Sequence, residues 1–370
     1  MTISFLPYFF LPFLLFFFFI TLYLFTRSIR FFSAPSSRFI YSSIIHYSSR
    51  QLTMSSTIIE QTNPLASGQQ ASYQIKHGHI SFNEFILSYP RGAYTGMRTV
   101  GRGSILELNS HMKRIVNSLT LMKFNPTGKD GEPDTVSDQL VSFRHIDSLE
   151  EKLIPMLRAG LEAYYNHIPE AEQAKVSLMV TYSFELQRPC FAAHIGHLGQ
   201  PPKQRIKVEL ENKARTMPSV KDSQWVRDRA SLEKSKRQGI NEVVLIDDQG
   251  NVYEGMASNF FAVRRRNNSY VIQCASLEHI LLGTVMKVLM SLCEQAKINI
   301  EWVFPKIQDA RSGKWEGCFL TSTTRLLLPI ETIYPKDGSA PIDFPESEFI
   351  QQLQQMVNNE MKNKAYPILD

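Results

Sequence analysis

Beyond residue 205 the chain breaks into short β-rich runs that leave few folds open to it. RIKVEL, NEVVLIDD, NVYEG, NFFAVRR and YVIQCA follow one another between residues 205 and 275. The joints DDQGN and RRNNS supply Asp, Asn and Gly where a hairpin needs positive φ. No G-x-G-x-x-G opens a helix after a strand and no Walker loop occurs, so dinucleotide and P-loop chemistry are disfavoured. A helix over about Leu282–Lys297, a strand at CFLTST and a C-terminal helix after Pro345 complete this half.

Upstream, GSILELNSHMKRIVNSLTLMKF turns from strand to helix, with Asn109 or Ser110 as N-cap. Met112, Ile115, Val116, Leu119 and Met122 then recur at helical spacing. Asn125–Ser137 reads as a loop, and SLEEKLIPMLRAGLEAYYN as a helix with a kink or restart at Pro155. KVSLMVTYSF and CFAAHIGHL read as paired strands, and GQPPKQ at 199–204 marks a domain boundary. A chain of 370 residues, 43% of them hydrophobic, can fill two cores. The expected architecture is α+β in two domains, a small α/β domain over 70–198 and a larger one over 205–370.

Residues 1 to about 65 are set apart from both domains. Phe5–Phe25 is almost wholly apolar and about long enough to span a bilayer. Arg- and Ser-rich sequence follows it, with no acid before Glu60. Three readings stay open. It is an organellar transit peptide, placing the protein in plastid or mitochondrion; or a signal anchor, giving membrane contact through residues 5–25 only; or an upstream extension, with a cytosolic product starting at Met54. Four arginines of this segment, Arg27, Arg30, Arg38 and Arg50, account for most of the net charge of +5. The remainder is near neutral, so nothing calls for a nucleic-acid partner. Cys190, Cys274, Cys293 and Cys318 form no C-x-x-C pair, which disfavours zinc or redox motifs and suits reduced, buried thiols. No metal site is expected.

Five stretches hold residues that catalysis could use: HMKRIVNS, PSVKDSQWVRDR, GNVYEGMASNFF, LEHILLGTVMKVLM and GCFLTSTTRLLLPI. Singly they say little. Lys221 stands among the decoys Lys213, Lys234 and Lys236; Glu254 could be a turn-edge carboxylate, and Gly283 a glycine that merely opens a helix. His111 reads as structural.

In combination and order, these stretches resemble the class IV (fold type IV) aminotransferases, which include branched-chain and D-amino-acid aminotransferases and aminodeoxychorismate lyase. The resemblance runs from about Tyr94 to Ile330. It implies a pyridoxal 5'-phosphate enzyme with a barrel-like larger domain and the cofactor in the cleft between domains. Lys221 is implied as the lysine that condenses with the cofactor aldehyde and moves the α-proton. Glu254, 33 residues further on, is implied as the carboxylate against the pyridine nitrogen. Gly283 with the amides of Thr284 and Val285, Arg114 and Thr323 would hold the phosphate. Tyr94, Thr324 and Arg325 are the candidates for substrate contact, Arg325 standing where relatives often carry a small residue. Lys287 replaces the arginine that often follows the glycine. The implied reaction is amino transfer between an amino acid and a 2-oxo acid, in a homodimer. The alternatives are a lyase resembling aminodeoxychorismate lyase and a non-catalytic homologue acting as a binding protein.

Overall fold

The computed structural model describes residues 55–63, 71–128, 132–267 and 269–369. The apolar run Phe5–Phe25 and most of the Arg- and Ser-rich stretch after it lie outside them. Among the described residues no helix is long and apolar enough to cross a membrane. The described residues fall in one compact unit built on two sheets.

The first sheet holds β1 (Ser56–Gln61), β2 (Tyr73–Gly78), β3 (Gly92–Val100), β4 (Ser104–Leu106), β5 (Ala174–Ser183) and β6 (Arg188–His197). Their spatial order is β4-β3-β5-β6-β1-β2, with every neighbouring pair antiparallel. Helix α1 (Phe82–Leu87) starts at a capping box in which Ser81 and Glu84 each satisfy the other's backbone N–H. Helix α2 (Leu108–Leu121) packs on β3, and α3 (Ile146–His167) on β1 and β6. Both are amphipathic, burying Met112, Ile115 and Leu119 from α2 and Leu153, Leu157 and Leu161 from α3.

The second sheet holds β7 (Ile206–Asn212), β8 (Glu242–Ile246), β9 (Val252–Gly255), β10 (Asn259–Arg266), β11 (Ser269–Cys274), β12 (Asn299–Trp302), β13 (Trp315–Ser322), β14 (Leu326–Tyr334) and β15 (Ile342–Asp343). Six of these close into a barrel, β10-β13-β14-β7-β8-β9, because β9 pairs back onto β10 at Glu254–Asn259. Closure leaves those strands no open edge. Alternation along β10 splits its apolar residues between two cores. Phe260 and Ala262 join Val208, Val244, Leu320 and Leu328 inside the ring. Phe261 and Val263 face outward against helices α6 (Thr284–Gln295) and α7 (Glu348–Glu360). Two short helices, α4 (Gln224–Asp228) and α5 (Ala230–Ser235), cross between β7 and β8.

The expected α+β character, the paired β5 and β6, and the helices near 284–295 and after Pro345 are all present. Four details differ. Ser56–Gln61, set apart with the extension, is an internal strand between β6 and β2, with Thr57 and Ile59 at 0% exposure. The C-terminal β16 (Ala365–Pro367), assigned to the larger domain, pairs with β4 in the first sheet. Helix α2 starts two or three residues earlier than expected, with Glu107 at its N-cap in the left-handed region (φ 51°) and Asn109 already helical. Finally, Pro155 sits inside an unbroken α3; it is exposed, as is Glu151, so the carbonyl to which a proline cannot donate belongs to the solvent side of the helix.

Candidate active site

A cavity of about 300 Å³ opens between the first sheet and one end of the barrel. Tyr94 and Gly96 of β3, Arg114 of α2 and Lys175 of β5 line one side. Lys221, Glu254, Gly283, Thr284, Val285, Thr323 and Thr324 line the other, so all the expected site residues except Arg325 share one wall or another of it. A larger groove of about 1190 Å³ runs over Arg205, Arg237 and Gln354 outside the barrel, but it gathers no comparable buried cluster of acid and base.

Lys221 is held by its backbone. Its N–H donates to Ser118 Oγ at 3.0 Å, and its carbonyl accepts from Tyr94 N at 3.0 Å. The ammonium group lies 5.2 Å from the centre of the Tyr94 ring. Burial, with Arg215, Arg114 and Arg229 adding to it, holds this lysine well below its ordinary pKa, against the opposing pull of Glu254. The neutral amine is the form that attacks a carbonyl carbon, and a lowered pKa favours it.

Glu254 owes its position to the strand pairing. E-G-x-x-x-N is here the tight connection from β9 to β10, which sets Glu254 and Asn259 directly opposite each other. Both carboxylate oxygens of Glu254 accept hydrogen bonds, one from Arg215 Nη1 at 3.3 Å and one from Leu281 N at 3.1 Å. Burial raises the Glu254 pKa, while Arg215, the Leu281 amide and Lys221 pull against that rise. Asn259 Nδ2 donates to Leu281 O at 2.7 Å, fixing the segment that leads into α6. A Cβ on Gly283 would come within 2.0 Å of Asn259 Oδ1, which is why this position takes glycine.

The N-terminus of α6 faces the cavity at Thr284 and Val285. Arg114 crosses from α2 and donates through Nη2 to Thr284 Oγ1. Its Nε is buried without a partner, and among the described residues no carboxylate pairs with it. Burial, with Arg215 nearby, lowers its pKa to about 10, despite the opposing effect of Tyr94. A buried guanidinium beside a helix N-terminus is a place for an anion.

Arg325 does not line the cavity. Its guanidinium pairs with Glu242 and reaches Asn241 O at 3.5 Å, so it is occupied outside. His111 also lies outside the lining; its Nδ1 shares a 2.8 Å hydrogen bond with Thr95 Oγ1, and burial holds its pKa well below the ordinary value.

Several lining residues carried no signal in the sequence. Arg215, in the polar stretch ENKARTMPS, is the ion-pair partner of Glu254, their side chains 5% and 4% exposed. Arg229 and Glu233 form a 3.0 Å pair one turn apart. Thr321 lines the wall, its buried hydroxyl without a partner among the described residues. Among the described residues Lys175 makes no ion pair; its amine lies 4.0 Å over the Phe82 ring, and burial, reinforced by Arg229 and offset by Glu233, lowers its pKa to about 8.

The chain belongs to the class IV aminotransferase family, whose model matches residues 92–333. It is an aminotransferase, and the lyase and binding-protein readings are not favoured. Solved structures share the fold. The branched-chain aminotransferase of Thermoproteus uzoniensis with norvaline superposes at a TM-score of 0.57 with 15% identity, over 80% of this chain and 97% of that one. A hypothetical aminotransferase from Mycobacterium tuberculosis in its PLP-bound form gives 0.57 and 13%, over 83% and 99%. The Escherichia coli branched-chain aminotransferase gives 0.55 and 15%, over 77% and 92%. Curated proteins gave no sequence match.

Proposed function

We propose that this cavity carries amino transfer between an amino acid and a 2-oxo acid, with Lys221 as the cofactor lysine. Pyridoxal 5'-phosphate is the cofactor. The observation that carries the residue assignment is a surplus of inward-facing cation. Arg114, Lys175, Arg215 and Arg229, besides the amine of Lys221, line the cavity against only Glu233 and Glu254. Such an imbalance, largely out of water, suits a doubly charged phosphate. Arg114 and the N-terminus of α6 at Thr284 and Val285 would receive it, with Thr323 beside them. Glu254 would meet the ring nitrogen, kept in place by Arg215 and the Leu281 amide.

When bound, the cofactor supplies the electron sink that makes the substrate α-proton removable. Lys221 Nζ then takes that proton and returns it one position away, a task suited to an amine whose pKa burial has depressed. Tyr94 and the backbone at Thr324 would orient the substrate. A homodimer as the active species fits family membership.

Borohydride reduction of the holo protein followed by peptide mapping tests the assignment. A pyridoxyl group on Lys221, together with formation of a new amino acid from a 2-oxo acid, is the expected result. A label on Lys175, the other amine of the cavity, would overturn it, and the mass of the same preparation decides between one chain and two.

A further inference from the structure

Arg98, on β3, is 5% exposed, and no carboxylate among the described residues pairs with it. Its Nη2 donates to Gln173 Oε1 at 2.7 Å and its Nη1 to Thr324 O at 3.1 Å, while Nε is buried without a partner. Register places Lys175 directly opposite on β5. Like charges facing each other across an antiparallel pair are unfavourable. A buried arginine in that setting, spent on a carbonyl oxygen, calls for an explanation.

The carbonyl it grips belongs to the three-residue turn 323–325 between β13 and β14, which forms part of the cavity wall. This turn is not a relaxed one. Leu326, the residue that closes it, has φ 59°, a left-handed conformation that a leucine adopts at a cost and usually leaves to glycine. Such a conformation persists where its surroundings over-determine it. Three outside contacts do so: Arg325 with Glu242 of β8, Gln354 Nε2 with Leu327 O at 2.9 Å, and Arg98 with Thr324 O. The first two come from the barrel and its helix α7. Arg98 comes from the other sheet.

We propose that Arg98 is a positioning residue for the substrate carboxylate. Its grip on the Thr324 carbonyl, from the other sheet, fixes the turn 323–325 in the orientation that receives that group; this rests on the reading of the cavity as the aminotransferase site. Gln173 completes the device by holding the other arm of the guanidinium fork. A fork that reaches two acceptors at once cannot be reproduced by a lysine.

The test compares holo Arg98→Met, Arg98→Lys and Gln173→Ala with the parent enzyme. Misplacing a binding group by about an ångström can cost up to roughly 100-fold, so the expected loss in kcat/KM for the amino acid is about 10- to 100-fold for Met, somewhat less for Lys and least for Gln173→Ala. The loss should fall mainly on KM, for both amino acid and 2-oxo acid. A primary amine of the same side chain, lacking the carboxylate, should react with parent and variants at equal rates. The cofactor label on Lys221 should be unchanged. Equal losses on amine and amino acid, or a lower melting temperature with KM unmoved, would overturn the proposal. Absence of any label on Lys221 in the parent enzyme would instead overturn the assignment of the site. If Arg98→Met does not fold, Gln173→Ala carries the same comparison, since it leaves the charge in place.

Discussion

At the scale of single residues, the two cavity lysines are set apart by what surrounds them. Lys221 lies among Arg215, Arg114 and Arg229 with Glu254 in reach, whereas Lys175 has an aromatic ring beneath it and makes no ion pair among the described residues. An inward amine with no partner is unfavourable to folding while it is charged. Its pKa falls to about 8 in the folded chain from 10.5, so between these values the unfolded chain binds a proton that the folded chain has released. Wild-type stability from this group therefore rises with pH across that window and is lowest below about pH 8. Lys175→Met should melt above the wild type at pH 7, and the difference should shrink by pH 9.5. A difference that stays constant with pH would mean that the substitution acts through packing alone. Residues with a motif around them, such as Lys221, Glu254, Arg114 and Gly283, could be singled out in the sequence because their spacing is distinctive. Arg215, Lys175 and Arg98 could not, since each lies in a loop or strand where the pattern of neighbours says nothing about the direction of the side chain.

At the scale of elements, β1 shows where composition misleads. The acid-free segment ends at Glu60, but backbone pairing begins four residues earlier, at Ser56. Its partner β6 lies more than 130 residues away, a distance no local pattern can report. Ile59 packs against the close approach of α3, where a Cβ on Gly160 would come within 3.0 Å of Ile59 Cγ2. Removing this one side chain from the core costs about 1.5–3 kcal/mol, before the loss of two strand ladders is counted. A chain starting at Met54 should therefore fold and melt normally. One starting at Ala66 should melt far lower or aggregate, because β6 and β2 are left with open edges. Equal melting of the two chains would show β1 to be dispensable. The same non-locality hid β16, whereas β5 with β6 was readable because one short turn joins two strongly apolar runs.

At the scale of the whole molecule, net charge conceals the feature on which function depends. Outside the first 59 residues the chain is nearly neutral, yet its topology gathers four cations, the Lys221 amine and two carboxylates round one cavity. The cations come from β5, from α2 and from the crossover between β7 and β8, so their convergence belongs to the fold and not to any one segment of sequence. Their mutual repulsion is opposed only in part by the Arg215–Glu254 and Arg229–Glu233 pairs. A bound phosphate dianion would relieve the rest, which links cofactor binding to stability. Stripping the cofactor should lower the melting temperature, and restoring it at 100-fold excess over its dissociation constant should return about 2.7 kcal/mol. Inorganic phosphate alone should recover part of the loss, whereas pyridoxal without its phosphate should recover little. Chloride at matched ionic strength is the control, because simple screening is weak for charges out of water. If chloride protects the stripped protein as well as phosphate does, the cations are stabilised by general salt, and Arg114 with the N-terminus of α6 is not a phosphate site.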